Sequence, residues 1–151
     1  MSLHSYAKCW LHIVFGTLNR EKVLHKEARI KLSEYFYMYS KTKNIYMKIN
    51  YVNADHSHLL IDLPTNLSIE KAVQLFKGSS SNWINKSNLL KIKFSWGRGY
   101  GVFSVSESSV SKVCEYIAKQ DEHHKVKSFA DEYREFITKY GLKYMDDLEN
   151  C

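Results

Sequence analysis

The chain has a single proline, Pro64, and only six glycines among its 151 residues. So little turn chemistry excludes a long flexible linker, and neither an internal repeat nor a low-complexity tract is found. Three cysteines, Cys9, Cys114 and Cys151, are far apart and form no CxxC pair. Their spacing excludes a disulfide framework and a cysteine-zinc site, and it fits a reducing, cytoplasmic setting. No apolar run approaches the roughly 18–20 residues that a membrane span needs. The opening MSLHSYAKCWLHIVFG lacks the basic start and long apolar centre of a secretory leader. A nucleotide-phosphate loop is not expected either: the glycine-rich WGRGYG (96–101) has no GxxxxGK[ST] pattern.

What remains is the composition of a globular protein, with 44% apolar and 25% charged residues. The length suits one domain over 1–151 with a real hydrophobic core. The net charge of +6 is uneven: +4 over residues 1–67, +5 over 68–101 and −3 over 102–151. A concentrated basic middle suits a polyanionic partner, because neutralised phosphates release condensed counterions.

The strand formers of KCWLHIVFGTL (8–18) mark a first strand. From Lys26 to about Lys43, Ala28, Ile30, Leu32, Tyr35, Phe36 and Tyr39 recur at helical spacing. Two strands follow, about 45–53 and 56–63, and then Ser68 caps a helix running to about Lys86. After WGRGYG come a short strand, YGVFSVS, a helix over about 107–121 with Ser106 as its N-cap, and an amphipathic helix over about 128–140. The order predicts an α+β fold: a ferredoxin-like antiparallel sheet, β-α-β-β-α-β, with helices on one face and additional C-terminal helices. The second face of such a sheet is expected to be open, and function is expected there.

Residues 54–63 read ADHSHLLIDL. Strand side chains alternate with a period of two, so His56, His58, Leu60 and Asp62 share one face and Ser57, Leu59, Ile61 and Leu63 the other. The second set is the natural core face, which sends both imidazoles to the open side. Two histidines are an incomplete shell, so a metal there would need a further oxygen or nitrogen ligand. In VCEYIAKQ (113–120), Tyr116 and Gln120 stand four apart on one helical face. A carboxamide oxygen suits a divalent ion beside imidazoles, and a phenolate is a competent nucleophile. Spacing alone does not separate Tyr116 from Tyr133 or Tyr140.

DHSHLLIDLP, FKGSSSNWI, GYGVFSVSESSV and YIAKQDEHH, in this order and spacing, resemble the single-tyrosine transposases of small bacterial insertion sequences and their repeat-associated relatives. These belong to the HUH nuclease superfamily, named for a histidine–hydrophobic–histidine strand motif. The resemblance covers about residues 4–144. It implies that His56, His58 and Gln120 hold a divalent metal, Mg²⁺ or Mn²⁺, and that Tyr116 is the nucleophile. It implies single-stranded DNA, often hairpin-bearing, as substrate, cut through a 5′-phosphotyrosine link; the freed 3′-hydroxyl later attacks another such link, so no nucleotide cofactor is implied. It also implies a homodimer. One departure stands out: the middle motif residue is Ser57 rather than a hydrophobic one.

Arg20 in the loop after the first strand, Lys77 on the second helix and Arg98 in WGRGYG are the candidate DNA contacts. Tyrosines along 35–51 could offer stacking platforms for bases, or fill the core. Two other readings fit the same residues. One is a non-catalytic single-stranded nucleic-acid-binding module on this fold; the other is a metal-dependent phosphohydrolase that uses water and leaves Tyr116 structural.

Overall fold

A computed structural model describes residues 5–120 and, in addition, Asp131, Arg134 and Glu135. In chain order the elements are β1 (Trp10–Gly16), α1 (Lys26–Thr42), β2 (Tyr46–Val52), β3 (His56–Asp62), α2 (Ile69–Lys86), β4 (Gly101–Val105) and α3 (Val110–Ala118). Short 3-10 turns at Leu18–Arg20 and Glu107–Ser109 follow β1 and precede α3. Apart from Asp131, Arg134 and Glu135, which are helical and exposed, the helix expected over about 128–140 lies outside the described residues.

The four strands form one antiparallel sheet in the order β2-β3-β1-β4, with β1 and β3 at its centre. This is the predicted β-α-β-β-α-β arrangement. Helix α1 begins where the Nδ1 of His25 accepts the Ala28 N–H, and α2 where the Ser68 hydroxyl accepts the Lys71 N–H. Both lay their apolar stripes on the face formed by Leu11, Ile13, Phe15, Leu59 and Ile61. Ala28, Leu32 and Phe36 of α1, and Ala72, Val73, Phe76 and Ile84 of α2, complete this core. Edge-to-face contacts link Phe15 to Phe36 (6.1 Å between centroids), Phe36 to Phe76 (6.1 Å) and Phe15 to Trp96 (4.7 Å).

The second face is not open. Helix α3 covers it, burying Val110 and Ile117 against Trp10, Leu60 and Val105. The expectation of a free face therefore fails, for a physical reason: Val110, Val113 and Ile117 form an apolar stripe that must itself be buried. The Trp10 indole N–H donates to the Glu107 carboxylate and ties the start of this helix to the sheet. Ser106 also departs from expectation. It precedes the 3-10 turn, and its hydroxyl meets those of Ser108 and Ser109 rather than capping α3.

Three loops meet at the end of the sheet where β3 begins. Thr17 N donates to Asp55 O (2.8 Å), Gly97 N to Gly16 O (2.8 Å) and Leu18 N to Ser95 O (3.1 Å). Gly97 permits that approach, since a Cβ on it would lie 3.1 Å from the Thr17 carbonyl oxygen. In the same cluster Asn19 (φ 56°) and Arg20 (φ 54°) both sit in the left-handed region, uncommon for residues other than glycine. Among the described residues, no helix is long and apolar enough to cross a membrane.

Candidate active site

The β3 parity holds as expected. Ser57 pairs across β1 with Phe15 and lies on the α1/α2 side, while His56 and His58 pair with Gly16 and Val14 and lie under α3. Both imidazoles are buried, at 0% and 1% exposure, so they sit in an enclosed layer and not on a solvent-facing surface. Their rings stand edge to face with centroids 5.0 Å apart. The Ser57 hydroxyl is buried with no hydrogen-bond partner among the described residues, on the face away from the histidines.

Helix α3 brings Tyr116 to the histidines of its own chain. The Tyr116 ring lies 6.2 Å from His58 and 6.4 Å from His12, edge to face with both. Gln120, just past the helix, is fully buried, and its Nε2 donates to the Tyr116 carbonyl oxygen (3.3 Å). Residues 113, 116, 117 and 120 thus form one inward stripe, of which two members are apolar and two carry functional groups.

His12, Asn53 and Asp55 join the site, and none of them stood out in the sequence. His12 lies on β1 opposite Leu60 and Phe103, with its Nε2 2.9 Å from His58 Nδ1. Burial pushes its pKa from 6.5 down to about 3, so the ring is neutral at ordinary pH. Asp55 Oδ1 lies 2.7 Å from His56 Nδ1, and Asn53 Nδ2 lies 3.0 Å from His56 Nε2. A signal for His12 exists: in WLHIVFG it is out of phase with Leu11, Ile13 and Phe15. Only the β1/β3 register converts that parity into a place beside the motif histidines.

The donor set fits a divalent cation in kind. His56 is braced at Nδ1 by a carboxylate, the usual outer-shell partner of a metal-binding imidazole. Among the described residues, no group of three or more His, Cys, Asp and Glu side chains is arranged to hold a metal ion. Beside the two imidazoles, the carboxamide of Gln120 is chemically suited as a further donor to a divalent ion.

Arg20, Lys77 and Arg98 all stand at the loop cluster where β3 begins. Arg98 is exposed and Arg20 half-buried. Lys77 directs its ammonium to the carbonyl oxygens of Gly97 (2.7 Å) and Gly99 (3.1 Å), so it clamps the turn that carries Arg98. Of the serines of FKGSSSNW, Ser79 and Ser81 donate back to carbonyl oxygens of their own helix, and Ser80 packs in the same region. Ser80 is buried and accepts the Trp96 indole N–H (2.8 Å), and nothing would meet a Cβ on Gly78 within 4 Å. Among the aromatics, Tyr35 stacks on Trp83 (4.6 Å) and Phe36 is core.

Residues 5–120 match the family model described as "Transposase IS200 like". The chain belongs to this family. Members of the family are transposases, and this chain is accordingly a DNA-binding, DNA-cleaving enzyme of transposition. It is 29% identical over 128 residues to the transposase of insertion sequence element IS200 of Salmonella typhimurium, covering 82% of this chain and 84% of that one. Its fold is similar to the crystal structure of a protein from Deinococcus radiodurans assigned to the transposases (TM-score 0.64, 23% identity, 80% of this chain and 96% of that one). It is also similar to a REP-associated tyrosine transposase bound to a REP hairpin (TM-score 0.56, 16% identity, 87% of this chain and 79% of that one).

Proposed function

We propose that this IS200-like transposase cuts and rejoins single-stranded DNA with Tyr116 as nucleophile and a divalent cation, Mg²⁺ or Mn²⁺, held by His56, His58 and Gln120. The observation that carries the reading is the edge-to-face packing of the Tyr116 ring against His58 within one chain. It joins a nucleophile to a candidate metal ligand without help from a second subunit.

In the step we propose, the Tyr116 oxygen attacks a backbone phosphorus and the bond to the 3′ oxygen breaks. The phenolic proton is lost, the 3′ oxygen leaves as a hydroxyl, and a 5′-phosphotyrosine ester remains. The ester keeps the phosphodiester's free energy, so a 3′-hydroxyl can reverse the step and join strands. When bound, the metal would supply Lewis-acid charge to the scissile phosphate. The chain's own contribution is orientation, since α3 is pinned to the sheet on both sides of the tyrosine and restricts the attacking oxygen. In this reading Arg20 and Arg98 hold the strand's backbone, and Lys77, bonded to the carbonyl oxygens of Gly97 and Gly99, fixes the turn that carries Arg98. A hairpin substrate, by analogy with the REP hairpin of the similar structure, and a homodimer belong to the same proposal.

Incubation with end-labelled, hairpin-bearing single-stranded DNA and Mn²⁺, followed by a denaturing gel, tests it. A covalent adduct that disappears in Tyr116→Phe supports the reading. Cleavage without adduct that survives this substitution would replace it with a water-using phosphohydrolase. Binding with neither would leave a nucleic-acid-binding module.

A further inference from the structure

Among the described residues, three imidazoles are buried on the second face, and the proposed metal site uses two of them. His12 meets the site at His58, with its Nε2 2.9 Å from His58 Nδ1, the rings stacked at 26° and their centroids 5.1 Å apart. Two neutral imidazoles can share such a bond only if one presents N–H and the other a lone pair. The direction therefore fixes both tautomers. If His58 donates from Nδ1, its Nε2 carries a lone pair, as a metal ligand must. If His12 donates, the His58 proton moves to Nε2 and closes that atom to a cation.

We propose that His12 is a positioning residue for the metal-binding imidazole, its Nε2 accepting from His58 Nδ1–H so that His58 Nε2 is kept open for a divalent cation. This rests on the reading of His58 as a ligand. The other motif histidine carries the parallel observation. The Asp55 carboxylate, an acceptor, lies 2.7 Å from His56 at the same ring atom, Nδ1. Each histidine of the pair is thus braced at Nδ1, one by a carboxylate from its own loop and the other by an imidazole from the neighbouring strand. A neutral brace adds no second negative charge to an enclosed layer, where an uncompensated charge is costly. His12 is well held for the task, with its ring 6.3 Å from Phe103 and 6.4 Å from Tyr116.

The experiment uses the full chain, metal-free and labelled with ¹⁵N-histidine. Long-range ¹H–¹⁵N correlation spectra report which nitrogen of His58 bears the proton, and calorimetric titration with Mn²⁺ reports affinity. The wild type should show His58 protonated at Nδ1. His12→Leu, which removes the acceptor, should lose this single tautomer and weaken Mn²⁺ binding by roughly 10- to 100-fold. His12→Gln, whose carbonyl oxygen can accept the same bond, should restore the tautomer and most of the affinity, which a packing role alone would not explain. A His58 proton on Nε2 in the wild type would overturn the proposal, as would a His12→Leu protein that binds Mn²⁺ like the wild type. His58→Ala separates the two levels. If it leaves Mn²⁺ affinity unchanged, the metal reading fails and the proposal with it; if it abolishes binding while His12→Leu does not alter it, only the role of His12 fails.

Discussion

The two faces of the sheet are made from alternate residues of the same strands, yet they are built to opposite rules. On one face Leu11, Ile13, Phe15, Leu59 and Ile61 meet two long helices in an apolar layer. On the other, His12, His56 and His58 lie buried beneath a nine-residue helix that carries Tyr116, with only a small apolar cluster around Trp10, Leu60 and Ile117. Buried polar groups must find partners or cost stability, so a layer of imidazoles is a poor source of folding energy. The difference teaches a division of labour. The apolar face supplies the stability, and the rigid strands it anchors hold the polar face in register.

The widest separation between the faces is expected from truncating one aromatic on each. Phe36→Ala removes a fully buried ring from the apolar layer and should cost about 3–5 kcal/mol in urea unfolding. Tyr116→Phe should change unfolding by well under about 1 kcal/mol while abolishing adduct formation. Equal destabilisation by the two would erase the contrast.

Acid should act next most strongly, and through the polar face. His12 has its folded pKa depressed to about 3 by burial, against 6.5 for an exposed ring. Between those values the unfolded chain binds the proton and the native one does not. The contribution of neutral His12 is therefore complete above about pH 6.5 and is lost as the pH falls toward 3, at up to about 1.4 kcal/mol per unit. Urea unfolding of the metal-free protein at several pH values should show His12→Leu losing less stability than wild type across that window.

A smaller effect is expected at the clamp between the apolar side and the loop cluster. Lys77→Met removes two bonds to the 97–99 turn and should cost on the order of 1–2 kcal/mol, since the half-buried ammonium is partly screened by solvent. The melting temperature reports it.

The smallest effect sharpens the comparison most finely. Ser57 sits inside the histidine motif yet faces the apolar layer, with its hydroxyl buried and lacking a partner among the described residues. Ser57→Ala should leave stability unchanged or raise it by up to about 1 kcal/mol, with DNA cleavage unaffected. A loss of cleavage would show that the two faces are not separable at this position.

Much of this was legible in the sequence because it rests on local periodicity. The alternation in HSHLLID assigned His56 and His58 to one face and Ser57 to the other, and Ser68 marked the start of α2. The YIAKQ spacing put Tyr116 and Gln120 on one side of a helix. What stayed hidden depends on contacts between distant segments. That α3 closes over the second face follows from packing, and the partnership of His12 with His58 needs the register of β1 against β3. Nor does any sequence pattern mark Asp55, whose carboxylate the fold sets against His56. Lys77 carries a charge that suits DNA, and only the fold shows its nitrogen on two carbonyl oxygens.

In the proposed reaction the polar face does its chemistry through Tyr116. Tandem mass spectrometry of the protein–DNA adduct, after nuclease and protease digestion, tests it most directly. A 5′-linked nucleotide is expected on the peptide containing Tyr116 and on no other. A nucleotide on Tyr133 or Tyr140 instead, or strand cleavage with no modified tyrosine at all, would contradict it.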